Sequence, residues 1–336
     1  MSKGLAKLFA SSTRMMIQDN LKRAFQKAKG FIDQAPSIIL ASHEYTDGDD
    51  LGAILALSHV LEGWSKKTLK LAKGGVPDNL LFLPGHGEVK ESLPEDYKNY
   101  DLLITVGCGK LTRPGFAELE GWPKTIVNLD HHADTQMFGT VNIWDASLAA
   151  NCELVYLMLK DWRVAIDKFI ALYLLTGIFT DTGGFRHANI SALTFEIAAE
   201  LLRKGAKLDL ISRFTFSQKE LPMLRAWAAA LENARLDPKR QMVYTVITAE
   251  DLAAVGAKEE DLEGVVELLN TIPEAKFSML LKQRGEEIKG SLRSEHYKGV
   301  DVAAIARAFG GGGHKLAAGF KFKGKIEKTK EGWKIT

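Results

Sequence analysis

The sequence predicts an α/β protein, a mainly parallel sheet with helices on both faces, followed by a smaller α+β C-terminal domain. Two observations carry this. Strand-like apolar runs at 37–42, 68–72, 102–106, 125–129 and 141–144 alternate with helix-like or Gly/Pro-rich stretches, the pattern of βαβ units. Beyond a wholly helical stretch from about 151 to 235, strand-like runs at 242–248, 276–282 and 288–293 interleave with helix-like segments near 258–270 and 300–308. A chain of 336 residues divides naturally into two domains, here 1–215 with a helical connector and 216–336, the boundary falling between 210 and 220.

Residues 15–30 read as an amphipathic helix whose basic face, Lys22, Arg23, Lys27 and Lys29, is a solvated surface before it is a nucleic-acid contact. Helical periodicity recurs in Leu154–Leu159, Phe169–Phe179, Leu193–Leu202 and Leu221–Leu231. In a parallel sheet the site is expected at the carboxyl ends of the strands. At the end of the 125–129 run stands Asp130-His131-His132, an acid and two imidazoles. Such a triplet alone is more often structural than functional. His43, Asp47 and Asp49, an H-x-x-x-D-x-D pattern just after 37–42, change that weighting. Asp181 follows an apolar helical stretch that begins near Phe169, and Gly310–Gly313 precedes His314 in GGGGHKLAAG.

Carboxylates and imidazoles suit Mn²⁺, Mg²⁺ or Fe²⁺, and the lack of cysteine at these positions speaks against structural zinc. A hydrolytic centre of this kind lowers the pKa of bound water and neutralises charge on phosphoryl oxygens. His132, Arg293 and His314 supply donors around such a group. Consecutive glycines let a backbone approach an anion closely, although a glycine-rich loop alone is more often a plain turn.

A net charge of +2, with 46% hydrophobic and 26% charged residues, argues against a protein that coats nucleic acid through bulk charge. No apolar run suits a signal peptide or the roughly 20 residues of a membrane span, so a cytoplasmic protein is expected. Cys108 and Cys152 lack C-x-x-C spacing and are expected as free thiols.

Taken in order, the four motifs resemble the DHH phosphoesterase superfamily with its DHH-associated C-terminal domain, from about residue 37 to about 322. The arrangement is most similar to the nanoRNase and 3′-phosphoadenosine 5′-phosphate phosphatase branch. The resemblance implies metal-dependent hydrolysis of short oligonucleotides or a related nucleotide, in a cleft between the domains, most naturally with Mn²⁺. It assigns His43 and Asp47 to one metal and Asp49, His131 and Asp181 to the other. Asp130 orients an imidazole, while His132, Arg293 and His314 stabilise developing charge; Gly311, Gly312, Gly313, His314, Arg293 and Ser294 contact substrate. A homodimer is a further implication. Two other readings stay open, a phosphatase of another phosphorylated small molecule or of polyphosphate, and a catalytically weak nucleotide-binding protein.

One position departs from the family pattern. There a further strand ends in an aspartate that bridges two metals, and the matching segment Asp101–Lys110 carries Gly107, with Asp101, Arg113 and Gly115 anchoring the match. Two divalent ions about 3.5 Å apart repel by roughly 19 kcal/mol at an effective dielectric of about 20. Losing the bridge is therefore expected to weaken the His43 site and leave only Asp49, His131 and Asp181 tightly occupied. As replacements, Cys108 points to the opposite face of a continuing strand. Glu44 and Asp50 lie within reach, Asp50 reading first as the cap of a helix beginning near Leu51. Lys110 reads as a surface lysine, with phosphate binding as the alternative. His59, His86, His187 and His296 read as surface or supporting residues, and Phe185 and Arg186 as either packing or a substrate-proximal turn. The six tryptophans are scattered through helical and turn contexts, and a base-stacking platform would need two or three of them in one cleft.

Overall fold

The computed structural model describes residues 3–217, 220–329 and 332–336, and the chain divides into two compact units, Met1–Gln218 and Lys219–Thr336. The first unit is built on five parallel strands: β1 (Ser37–Ala41), β2 (Lys67–Leu71), β3 (Leu102–Val106), β4 (Thr125–Asp130) and β5 (Val141–Trp144), in the order β2-β1-β3-β4-β5. The winding reverses at β1, which has β2 on one side and β3 on the other. Connections then leave the sheet in opposite directions, and a crevice opens beyond the carboxyl ends of β1 and β3.

Strand alternation sorts the apolar residues into two cores. Ile38, Leu40, Leu102, Ile104 and Val106 face one; Ile39, Ala41, Leu69, Leu71 and Leu103 face the other. Helices α1 (Lys3–Gln34), α2 (Gly48–Gly63), α4 (Asn151–Asp161), α5 (Lys168–Asp181) and α6 (Ala192–Arg203) contribute to the first core, α3 (Ala117–Glu120) to the second, and α7 (Leu208–Ser212) ends the unit's helical series. Among the described residues the second face carries α3 and loop residues such as Tyr100, Phe116 and Trp122. Pro77, Pro84 and Pro94 break the 72–101 connection into single turns, since proline lacks the N–H a continuing helix needs. In α1, Leu21, Phe25, Ala28 and Ile32 recur at helical spacing and are buried, while Lys22, Arg23 and Lys27 are exposed.

The second unit contains α8 (Leu221–Glu232), α9 (Ala249–Ala254), α10 (Val265–Leu269) and α11 (Val302–Ala308). Its strands are β6 (Arg235–Asp237), β7 (Met242–Thr248), β8 (Phe277–Arg284), β9 (Glu287–Ser294), β10 (Gly312–Gly313) and β11 (Ala317–Lys323), with a separate pair, β12 (Ile326–Thr329) and β13 (Gly332–Ile335). The six-stranded sheet runs β10-β11-β9-β8-β7-β6 and is mixed, only β7 and β8 pairing in parallel. α11 covers one face of it, α8 and α10 the other. The helix expected over 258–270 is split by Gly264, whose left-handed φ of +85° starts α10 afresh. Among the described residues no helix is long and apolar enough to cross a membrane.

Packing is close where α5 meets α2 and α4. A Cβ on Gly177 of α5 would stand 2.3 Å from Cys152 Sγ and 2.8 Å from Asp49 Oδ1. A Cβ on Gly52 of α2 would stand 2.5 Å from the Tyr173 carbonyl. Bare glycine thus brings the start of α2 against α5, whose last residue is Asp181. Gly177→Ala is expected to lower stability by about 1–3 kcal/mol through overpacking. Gly30→Ala, on an α1 position with no neighbour within 4 Å, should gain up to about 1 kcal/mol from helix propensity. Urea melts of both variants beside the wild type check the pair of signs.

Candidate metal centre

The crevice is lined by element ends. β1 leads into His43; Asp47 caps α2 with its Oδ1 accepting from Asp49 N at 3.1 Å and Asp50 N at 3.0 Å. The helix therefore begins at Gly48, and its cap is Asp47 rather than Asp50. Asp50 lies inside the first turn, and its carboxylate is free to turn inward. β4 ends in Asp130, with His131 and His132 following, and α5 delivers Asp181.

Two clusters form here: His43, Asp47 and Asp50, and Asp49, His131 and Asp181, each with ligand atoms within 4.8 Å of one another. His43 Nε2 lies 3.5 Å from both Asp47 Oδ2 and Asp50 Oδ2. His131 Nε2 lies 3.9 Å from Asp49 Oδ2 and 3.7 Å from Asp181 Oδ2. The two rings are turned by the same device. His43 Nδ1 donates to the Glu44 carbonyl at 2.8 Å and His131 Nδ1 to the Leu148 carbonyl at 3.2 Å, so each Nε2 is turned toward the carboxylates.

Asp49, 2% exposed, is held by the first N–H groups of α4, from Asn151 at 2.6 Å and Cys152 at 2.9 Å. Position 150, the α4 cap, is alanine and offers no side-chain acceptor. The carboxylate from α2 takes that role across 102 residues of sequence, and the helix dipole favours its charge. Asn151 Nδ2 also donates to Asp50 Oδ1 at 2.9 Å, while Asp50 Oδ2 is buried without a hydrogen-bond partner.

These acids are short of positive charge. Burial, joined by the charge of Asp181, pushes Asp49 up to about 7. Burial and the charge of Asp47 push Asp50 to about 8 and Asp181 to about 7. Burial disfavours the His43 cation, but Asp47 and Asp50 outweigh it and raise His43 to about 9. A set of oxygen and imidazole donors, one of them orphaned, in which the carboxylates outnumber the imidazoles fits divalent ions.

His132 belongs to neither cluster. Its Nδ1 donates to Asp130 Oδ1 at 2.8 Å, and that bond raises His132 to about 9. The Trp144 indole donates to the His132 carbonyl at 2.8 Å, and Asp130 is fully buried. Asp130 thus fixes and charges an imidazole that stays about half exposed.

The remaining candidates lie in the second unit. Gly313, at φ +134°, and Gly311, whose Cβ would meet the Gly319 carbonyl at 2.2 Å, are explained by the close pass of β11. Gly312 has open space around it and His314 is exposed. Arg293 is partly exposed and pairs with Glu267 at 2.7 Å. Ser294 is corrected as a substrate contact. It follows Arg293 on β9, so its side chain takes the opposite face; it is 3% exposed and donates to the Lys276 carbonyl at 2.8 Å.

Other side chains settle as support. Cys108 is buried, its thiol pushed up by burial, and Lys110 is exposed. Glu44 turns to Lys73, and His59 bonds Asp167, the α5 cap. His86 donates to Leu83 O and His187 to Asp181 O. Phe185 packs between Phe179 and Phe195, and Arg186 Nε donates to the Gly183 carbonyl.

A cysteine-free ligand set at the reversal point of a parallel sheet is that of a hydrolase working with divalent ions. Residues 37–178 match the DHH family, N-terminal domain, and residues 241–332 the DHHA1 domain. The chain belongs to the DHH family and is a hydrolase of phosphoester bonds. It is 33% identical over 288 residues to the bifunctional oligoribonuclease and PAP phosphatase NrnA of Thermus thermophilus, covering 85% of this chain and 84% of that one. It is 26% identical over 302 residues to the protein of the same name from Mycoplasma genitalium, covering 89% and 92%. Among solved structures, an exopolyphosphatase-related protein from Bacteroides fragilis superposes with a TM-score of 0.81 at 26% identity, over 90% of this chain and 92% of that one.

A carboxyl group that binds its proton more tightly in the folded chain than in the unfolded one stabilises the fold while protonated and loses that contribution as pH rises through its folded value. Asp49, Asp50 and Asp181, raised to about 7 to 8, and His43 and His132, raised to about 9, act in the same direction. The Tm of chelator-treated protein is expected to fall between about pH 6 and about pH 9, with added Mn²⁺ restoring most at the alkaline end. A metal-free Tm that rises over that range contradicts this charge account.

Proposed function

We propose that the chain is a divalent-metal-dependent phosphodiesterase that trims very short oligonucleotides, or a related nucleotide phosphoester, to mononucleotides. The pair of carboxylate and imidazole clusters at the crevice carries this reading. Relatives named oligoribonuclease and PAP phosphatase, matched over most of their length, support the substrate class. Mn²⁺ is the first choice of ion, on the mixture of imidazole and carboxylate donors, with Mg²⁺ or Fe²⁺ as alternatives. An ion bound there supplies Lewis acidity, acidifying water and offsetting charge on phosphoryl oxygens.

The chain's own residues would do the rest. His132, cationic beside Asp130, donates to an oxygen that gains charge as the ester breaks. Asp130 is the positioning residue. Arg293, His314 and the backbone of Gly311–Gly313 are proposed to hold the nucleotide, and the clear space at Gly312 supports close approach by a ligand. A single tight ion was expected from two protein ligands at the His43 site; Asp50 standing beside them supports a second ion there. Buried free thiols fit a reducing compartment, so a cytoplasmic setting and a homodimer complete the proposal.

A second reading, phosphatase action on another phosphorylated small molecule or on the phosphoanhydride links of polyphosphate, is favoured by the likeness to the exopolyphosphatase-related protein. Both are read in one experiment. Purified protein with Mn²⁺ is incubated with a 5′-phosphorylated RNA dinucleotide and, separately, with adenosine 3′,5′-bisphosphate and a short polyphosphate. Mononucleotide that appears with the wild type and disappears with Asp181→Ala establishes the first reading; turnover of the polyphosphate alone replaces it with the second.

Asp130→Asn separates positioning from folding. It should lower kcat/KM by about 10–100-fold. The alkaline limb of the pH profile, set by loss of the His132 proton near 9, should move down toward the ordinary histidine value of 6.5. A fall in rate with an unmoved limb would remove His132 from the reaction.

A further inference from the structure

The structure assigns Asp50 as the carboxylate that completes the His43 and Asp47 metal site, in the space that a side chain on Gly107 would occupy. The inference rests on the phosphoesterase reading above and concerns how this chain satisfies its metals.

Gly107 follows directly on β3 and carries a left-handed φ of +64°. A Cβ built on it would lie 2.0 Å from Asp50 Oδ2, 2.2 Å from Oδ1 and 2.4 Å from Cγ. No pair of non-bonded atoms comes that close, so an Asp50 carboxylate in this position and a side chain at 107 exclude each other. The carboxylate reaches this spot from α2, not from the β3 loop. Asp50 is 2% exposed and one of its oxygens is anchored by Asn151 Nδ2 at 2.9 Å. The other, Oδ2, has no hydrogen-bond partner and stands 3.5 Å from His43 Nε2.

A buried carboxylate oxygen with no donor is costly unless a cation meets it. Here it converges with His43 Nε2 and Asp47 Oδ2, two atoms of the right type to share an ion. Asp47, the cap of α2, and Asp50, in its first turn, stand three residues apart, and both carboxylates approach His43 Nε2 at 3.5 Å. Together with the glycine, this amounts to an exchange of position. The loop after β3 gives up its side chain, and the first turn of α2 supplies the acid.

The exchange makes a prediction about paired substitutions that no other role for Asp50 makes. Mn²⁺ binding is measured by titration calorimetry and by the loss of the free Mn²⁺ resonance signal, on the full chain after chelator treatment. The wild type is expected to bind an ion at each cluster. Asp50→Ala and Asp50→Asn are expected to weaken one of the two ions by at least about tenfold while leaving the other in place, in line with the cost of disturbing a metal's ligand shell. Gly107→Asp alone should do harm, because the new side chain meets the Asp50 carboxylate. The double variant Asp50→Ala, Gly107→Asp should recover the weakened ion relative to either single change, since the acid returns from the other side of the same space.

Both Asp50 variants binding two ions with wild-type affinity would overturn the assignment while leaving the phosphoesterase reading intact. A wild type that binds one ion overturns it as well, and a wild type that binds none overturns both. Should Gly107→Asp fail to fold, the comparison of Asp50→Asn with the wild type carries the test, because that change keeps shape and removes only charge.

Discussion

The structure turns on one electrostatic constraint. Asp47, Asp49, Asp50 and Asp181 gather at the reversal point of a parallel sheet, two of them 2% exposed, with imidazoles as the nearest basic groups. In water-poor surroundings such a gathering is unfavourable, and the raised values of Asp49, Asp50 and Asp181 express it. The fold does not relieve the crowding but fixes it. α4 aims its N-terminus at Asp49, Asn151 anchors Asp50, and the cap role of Asp47 ties it to α2. Asp47, Asp49 and Asp50 are thus held in place before any ion arrives, which is the preorganisation that a metal-dependent hydrolase needs.

The scaffold explains why these groups can be held so firmly. The strands that carry them are buried on both faces, and the glycine contacts among α2, α4 and α5 leave no slack at the crossing. Orientation of the rings is delegated to backbone carbonyls, Glu44 for His43 and Leu148 for His131. His132 stands apart because its partner is a carboxylate, and the hydrogen bond to Asp130 is the main cause that raises it to about 9. Adjacent histidines thus acquire different chemistry from the acceptor behind each ring.

Much of this was legible in the sequence, for identifiable reasons. The five strands of the first unit are short apolar runs, and each expected run coincides with an observed strand to within a residue at either end. His43, His131 and Asp181 sit at or just past the ends of elements, where periodicity stops and polar residues begin. Asp50 was misassigned because adjacent acids at a helix start are equivalent in sequence, and only the backbone decides that Asp47 caps while Asp50 turns inward. The grip of α4 on Asp49 spans 102 residues and leaves a single trace, an alanine at a cap position. Ser294 was misread because a motif match ignores strand alternation.

We propose that the crowded acids are two ligand sets, the second completed from α2. Anomalous diffraction from crystals grown with Mn²⁺ would locate the ions. Two peaks per chain are expected, one among Asp49, His131 and Asp181, the other among His43, Asp47 and Asp50 with the Asp50 carboxylate in contact with the ion. A single peak, or an ion at His43 with the Asp50 carboxylate turned away, would contradict it.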